Sequence, residues 1–123
     1  MVNDTTRLLG LDGLVVDRVA LDPDDVPVVG LSIGDERARR CPDCGMRALR
    51  VKDWVTTRPR DLPVAGQPTR LRWRKRRWHC DQAGCPRRTF TEQVPQIPAR
   101  ARLTTRLRLA AGIAVADGGR TVV

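Results

Sequence analysis

The chain has no tyrosine, one phenylalanine and three tryptophans in 123 residues, so few large side chains are available to anchor a core. No stretch approaches the roughly 18 consecutive apolar residues that a membrane-spanning helix needs. The opening segment, MVNDTTRLLG, has neither the cationic start nor the long apolar run of a secretory leader. Acids are scarce where cations are dense. Residues 1–36 carry Arg7 and Arg18 against eight acids, whereas residues 37–123 carry 21 cations against six. None of these acids forms a pair in the setting of a general acid and base. Internal repeats and low-complexity tracts are missing too.

Against these shortages stand a formal charge of +9 and four cysteines. A strongly basic body on a soluble chain points to a polyanionic partner, most commonly nucleic acid, with a merely solvated basic surface as the alternative. Without a secretory leader, paired cysteines favour a metal over a disulfide. A core this small also needs a staple, and the cysteines can supply it.

The acidic head contains two short β-branched runs, GLVVDRVALD and VPVVGLSIG, which predict a β-hairpin turning near Pro23 to Asp25. Ahead of it, TTRLLGLDG predicts one helical turn stopped by glycine. In the body, LPVAGQP punctuates two strand-like runs, RRTFTEQVP reads as another short strand, and QVPQIPAR is too rich in proline to be helical. The best helix spans roughly Arg102 to Ala116, where Leu103, Leu107, Ala110, Ala111 and Ala114 keep helical spacing and Gly118 with Gly119 gives a stop. The expected fold is small α+β: zinc-ribbon β-hairpins with an N-terminal β-hairpin and a C-terminal helix. Its organisation divides into residues 1–36, the acidic leader and hairpin; 37–95, the ribbon with a basic hairpin; and 96–123, a linker and helix.

Cys41 and Cys44 form a C-x2-C knuckle, and Cys80 and Cys85 a C-x4-C partner after 35 intervening residues. Two such pairs flanking a hairpin-length insert suit a structural four-cysteine zinc site, with Gly45 and Gly84 relieving each knuckle. Four cysteines also suit iron, so the sequence leaves that metal open. A redox C-x-x-C would use Cys41 and Cys44 alone and leave the second pair without a role. His79 adjoins Cys80, but a fifth ligand is unnecessary; a strand-end histidine facing solvent or a phosphate is the simpler reading.

Six cations fall in the eight positions Arg70 to Arg77. Strand alternation places Leu71 and Trp73 on one face and Arg70, Arg72 and Arg74 on the other, and a bulge or twist around Arg74 to Arg77 is expected because Trp78 has the arginine parity. Folding does not favour such like charge, whereas a bound polyanion does. Arg70, Arg72, Arg74, Lys75, Arg76 and Arg77, with Arg87 and Arg88 nearby, are the candidate phosphate contacts. Trp73 and Trp78 read as packing residues more readily than as base-stacking platforms.

The segments CPDCG, RDLPVAGQPTRLRWRKRRWHCDQAGCPRRTFTEQVP and RLTTRLR together closely resemble the N-terminal region of the ISL-three family of bacterial insertion-sequence transposases. The resemblance runs from about Leu8 to the C-terminus. It implies one structural zinc on Cys41, Cys44, Cys80 and Cys85, a basic hairpin at Arg70 to Arg77, and DNA as the partner, including an element's terminal inverted repeats. It also implies a bacterial, cytoplasmic, nucleoid-associated setting. In that family a helix-turn-helix and a catalytic domain with an acidic triad follow. Here the sequence stops at Val123, so the expectation is a fragment ending at an incomplete helix-turn-helix and lacking catalysis. Neither a membrane nor a small-molecule substrate is expected. The alternative is a protein-interaction module that modulates full-length transposase or self-associates.

Overall fold

The structure, a computed structural model, describes residues 4–64 and 66–118, with side chains placed as far as Gly112. Helix α1 (Asp4–Leu9) ends at Gly10, whose φ of 67° is the left-handed conformation that stops a helix. Strands β1 (Leu14–Leu21) and β2 (Pro27–Ile33) form the expected antiparallel hairpin. In its turn the Asp22 carboxylate accepts hydrogen bonds from the amides of Asp24 at 2.8 Å and Val26 at 3.0 Å. Asp25 takes a φ of 59°, which aspartate tolerates better than most residues.

The remaining strands are β3 (Arg50–Thr57), β4 (Arg70–His79) and β5 (Thr89–Thr91). β4 organises the sheet. One edge pairs along β3 in antiparallel fashion. The other is shared: residues 70–73 run parallel to β2, and residues 77–79 pair antiparallel with β5. The acidic hairpin and the ribbon strands therefore belong to one five-stranded sheet in the order β1-β2-β4-β3, with β5 attached to β4.

Alternation along β4 gives the sheet two separate cores. On one face Leu71 and Trp73 pack with Leu9, Leu11, Leu14, Val16, Val29 and Leu31, and Val94 and Ile97 of the proline-rich link close over them. On the opposite face Trp78 packs with Phe90, Ala48 and Cys41, against the half-buried Cys80 and Cys85. Trp73 and Trp78 are 0% and 1% exposed, so both are packing residues. The expected irregularity lies on the partner strand. The register shifts between Val51 and Asp53 of β3, while β4 keeps its parity and Trp78 is buried because the ribbon core covers the arginine side there.

Helix α2 (Thr105–Gly118) begins later than its periodicity suggests. Leu103 is held in an extended bridge to Arg60, and Thr104 caps the helix: its carbonyl accepts from the Arg108 amide at 3.0 Å and its Oγ1 from the Leu107 amide at 3.3 Å. Of the apolar stripe, Leu103, Leu107, Ala110 and Ala111 are half-buried. The Ala114 side chain and Gly119 lie outside the described residues, as does any continuation toward a helix-turn-helix.

Candidate metal centre and nucleic-acid interface

Two tight turns bring the cysteines together. In the first, the Cys41 amide donates to the Met46 carbonyl at 3.0 Å, the Gly45 amide donates to the Cys41 carbonyl at 2.8 Å, and Gly45 has a φ of 74°. In the second, the Cys80 amide donates to the Arg88 carbonyl at 3.0 Å, the Cys85 amide donates to the Gln82 carbonyl at 3.2 Å, and Gly84 has a φ of 86°. Both glycines thus occupy the region expected of them. Arg87 and Asp43, 3.1 Å apart, tie one knuckle to the other.

The four sulfurs lie within 4.8 Å of one another, with Cys41 Sγ to Cys85 Sγ at 3.9 Å and Cys44 Sγ to Cys80 Sγ at 3.7 Å. A disulfide would need about 2.05 Å. A tetrahedron of sulfurs at about 2.3 Å from zinc has edges of about 3.8 Å, so the donor set fits one zinc ion. His79 is not among the clustered donors.

The thiols show why a cation suits this place. Burial pushes Cys41 up, but the amides of Cys44 and Asp43 and the neighbouring thiols outweigh it and bring its pKa down to about 7. The Gln82 amide favours the Cys80 thiolate, yet burial and the three other sulfurs prevail and push that thiol up to about 12. Cys85 is raised too: burial, Cys41 and Cys44 outweigh the Arg87 amide and Cys80. The Cys41 thiolate forms readily and opposes those of Cys80 and Cys85, a conflict that a bound divalent cation removes. A zinc ion held by Cys41, Cys44, Cys80 and Cys85 would supply a rigid crosslink here, joining the knuckles before β3 and after β4.

The cations of β4 divide between its two faces. Arg70, Arg72, Arg74 and Arg76 share the face opposite Leu71 and Trp73, whereas Lys75 and Arg77 lie on the other. Lys75 is buried, with its Nζ 4.4 Å over the Trp73 ring, and Arg77 is ion-paired to Asp53. On the arginine face, Arg70 pairs with Asp22 and Asp24, and Arg76 binds the buried Glu92 at 2.9 Å. Arg72 and Arg74 have no carboxylate partner among the described residues. Arg87 and Arg88 are exposed on the second knuckle.

Two members of this face escaped the sequence reading. Arg18 of β1 is in register with Gly30, which is in register with Arg72, so an arginine of the acidic hairpin joins the basic face. Trp54 of β3 stands opposite Arg76, is 48% exposed, and lies under the Arg74 and Arg76 guanidiniums at 4.4 and 5.7 Å. Its place in VKDWVTT, a strand directly after a knuckle, was the available signal. Five of the six acids of the body have structural tasks, since Asp43, Asp53, Asp61, Asp81 and Glu92 are each ion-paired to an arginine; the Asp117 side chain lies outside the described residues.

No curated protein and no solved structure matches the chain. Residues 37–85 match the family model described as the zinc-finger of transposase IS204/IS1001/IS1096/IS1165, a span that holds both knuckles, β3 and β4 and stops before β5. With its four convergent thiols, this segment is a zinc-ribbon domain of that transposase family.

Proposed function

We propose that the chain is a non-catalytic DNA-binding module in which the zinc ribbon holds a sheet face against the phosphate backbone. The observation that carries this reading is the exposed row of Arg18, Arg72 and Arg74 beside the Arg74–Trp54–Arg76 stack. Guanidiniums at strand spacing suit phosphates, and an exposed indole flanked by arginines suits a sugar or an unstacked base. Arg70, Arg76, Arg87 and Arg88 extend the positive surface, and the terminal inverted repeats of an insertion sequence are the natural DNA target.

The test is the salt dependence of duplex binding. Each phosphate contact contributes about 0.9 to the slope of log K against log salt, so Arg72→Ala with Arg74→Ala should flatten it by about 2 and weaken all sequences alike. Zinc content should not change. A salt-insensitive interaction, or affinity lost for one sequence only, would contradict the reading.

A protein-interaction role is favoured by one other feature, the exposed Met46, Leu49 and Val51 near the first knuckle, which are 51%, 74% and 41% accessible. A parent chain with no DNA affinity, together with an Arg72→Ala, Arg74→Ala chain that still captures full-length transposase, would decide for this role.

A further inference from the structure

A second cationic cluster lies on the other side of β4. A cleft of about 870 Å³ is lined by Thr57 to Arg60, by the segment from Arg100 to Leu103, and by Lys75 and Arg108. The two segments are fastened together, since the Arg60 amide donates to the Arg102 carbonyl at 2.8 Å and the Thr104 amide donates to the Arg60 carbonyl at 2.9 Å. Arg100 is held at a φ of 63°, an unusual conformation for a non-glycine residue. No carboxylate lines the cleft, and none of its five arginines is ion-paired among the described residues.

Lys75 is the informative member. It is 8% exposed, its Nζ lies 4.4 Å over the Trp73 ring, it lines the cleft, and among the described residues no ion pair is formed by its ammonium. Burial lowers its pKa, with Glu92 opposing only in part. An apolar side chain of similar length would cover Trp73 without that cost. A positive charge kept at the floor of an arginine-rimmed cleft is accounted for by an anion that enters it.

We infer that this cleft binds a phosphate group, with Lys75 at the floor and Arg58, Arg60, Arg100, Arg102 and Arg108 at the rim. Several guanidiniums around one ammonium match a multiply charged group with many acceptor oxygens better than a single carboxylate. The source is either a nucleic-acid phosphate or a free polyphosphate. The inference does not depend on the reading of the Arg72 face, because Lys75 points to the opposite side of β4.

The experiment is calorimetric titration of the zinc-loaded full chain with inorganic pyrophosphate at low salt. Saturable binding of one pyrophosphate per chain is expected, weakened at least about tenfold by Arg100→Gln with Arg102→Gln, two exposed positions. Arg7→Gln with Arg47→Gln removes equal charge elsewhere and should leave it unchanged. Lys75→Met, which keeps the cover over Trp73, should weaken binding without lowering the thermal midpoint. Competition with a labelled duplex separates the sources: displacement by pyrophosphate identifies a nucleic-acid phosphate, and undisturbed duplex binding identifies a free polyphosphate. Absence of saturable pyrophosphate binding, or equal losses in the cleft and control variants, would overturn the inference whatever the duplex does.

Discussion

Trp78 sits between two guanidiniums, Arg39 at 4.6 Å and Arg76 at 4.7 Å, and this stack joins the metal centre to the basic strand. Glu92 holds Arg76 in place, accepting from its backbone amide at 2.6 Å and from its Nε at 3.1 Å, with a side chain only 1% exposed. Glu92→Gln should therefore cost about 2–3 kcal/mol, because a buried partner of a charged group is weakened. The check is a fall in the urea midpoint of the zinc-loaded protein with its zinc retained; an unchanged midpoint would show that the pair is idle. Spacing made the four cysteines, Gly45 and Gly84 legible in the sequence, because a knuckle demands particular residues at particular steps. Glu92 and Trp54 were not legible in this way, since their roles depend on which strand lies beside them.

Helix α2 is fastened by a side-chain clasp: the buried Asp61 carboxylate accepts from Thr104 Oγ1 at 2.6 Å and from Arg106 Nε at 2.8 Å, and the Arg106 Nη1 donates to the Leu9 carbonyl at 2.7 Å. Burial pushes the Asp61 pKa up, but Arg106, Thr104 and the Leu62 amide outweigh it and hold the acid below its ordinary 3.8. The carboxylate therefore stabilises the fold fully above the unfolded value, and the contribution is lost as pH falls through the lower folded value. Asp61→Asn should reduce stability by a constant amount between pH 8 and 5, with the difference narrowing only below about pH 4. A gap that changes across the neutral range would contradict this assignment. The strands, the hairpin turn and the absence of helix in the proline-rich link followed from local patterning. The parallel seam between β2 and β4 did not, because it joins segments about 40 residues apart in sequence through pairing that no local signal encodes. For the same reason Val94 and Ile97 read as linker residues, though they close the larger core. That core draws Leu14, Val16, Val29 and Leu31 from the hairpin, so a chain starting at residue 37 should expose Leu71 and Trp73. Red-shifted tryptophan emission and self-association are expected, and a soluble, cooperatively folding 37–123 chain would contradict the shared core.

Across the whole molecule the acidic head and basic body are not separate charge domains. Asp22 and Asp24 meet Arg70 at one end of β4, Arg18 joins the arginine face, and among the described residues the cations without an ion pair include Arg72 and Arg74 on that face and the five arginines of the cleft on the other side of the sheet. The sequence charge division pointed to a polyanion partner, but that Arg72 and Arg74 have no carboxylate partner among the described residues could be read only from the fold. The zinc site holds the far end of this sheet, where β3 begins and β4 ends, and protons compete with metal for its thiolates. Acidification from neutrality should release zinc and loosen the ribbon before the Leu71–Trp73 core. The central claim is that one zinc, ligated by Cys41, Cys44, Cys80 and Cys85, builds the ribbon. X-ray absorption at the zinc edge of the freshly purified chain, with metal counted per chain, tests it most directly. One zinc per chain with four sulfur neighbours at about 2.3 Å is the expected result; fewer than four sulfurs, nitrogen or oxygen in their place, or no stoichiometric zinc would contradict it.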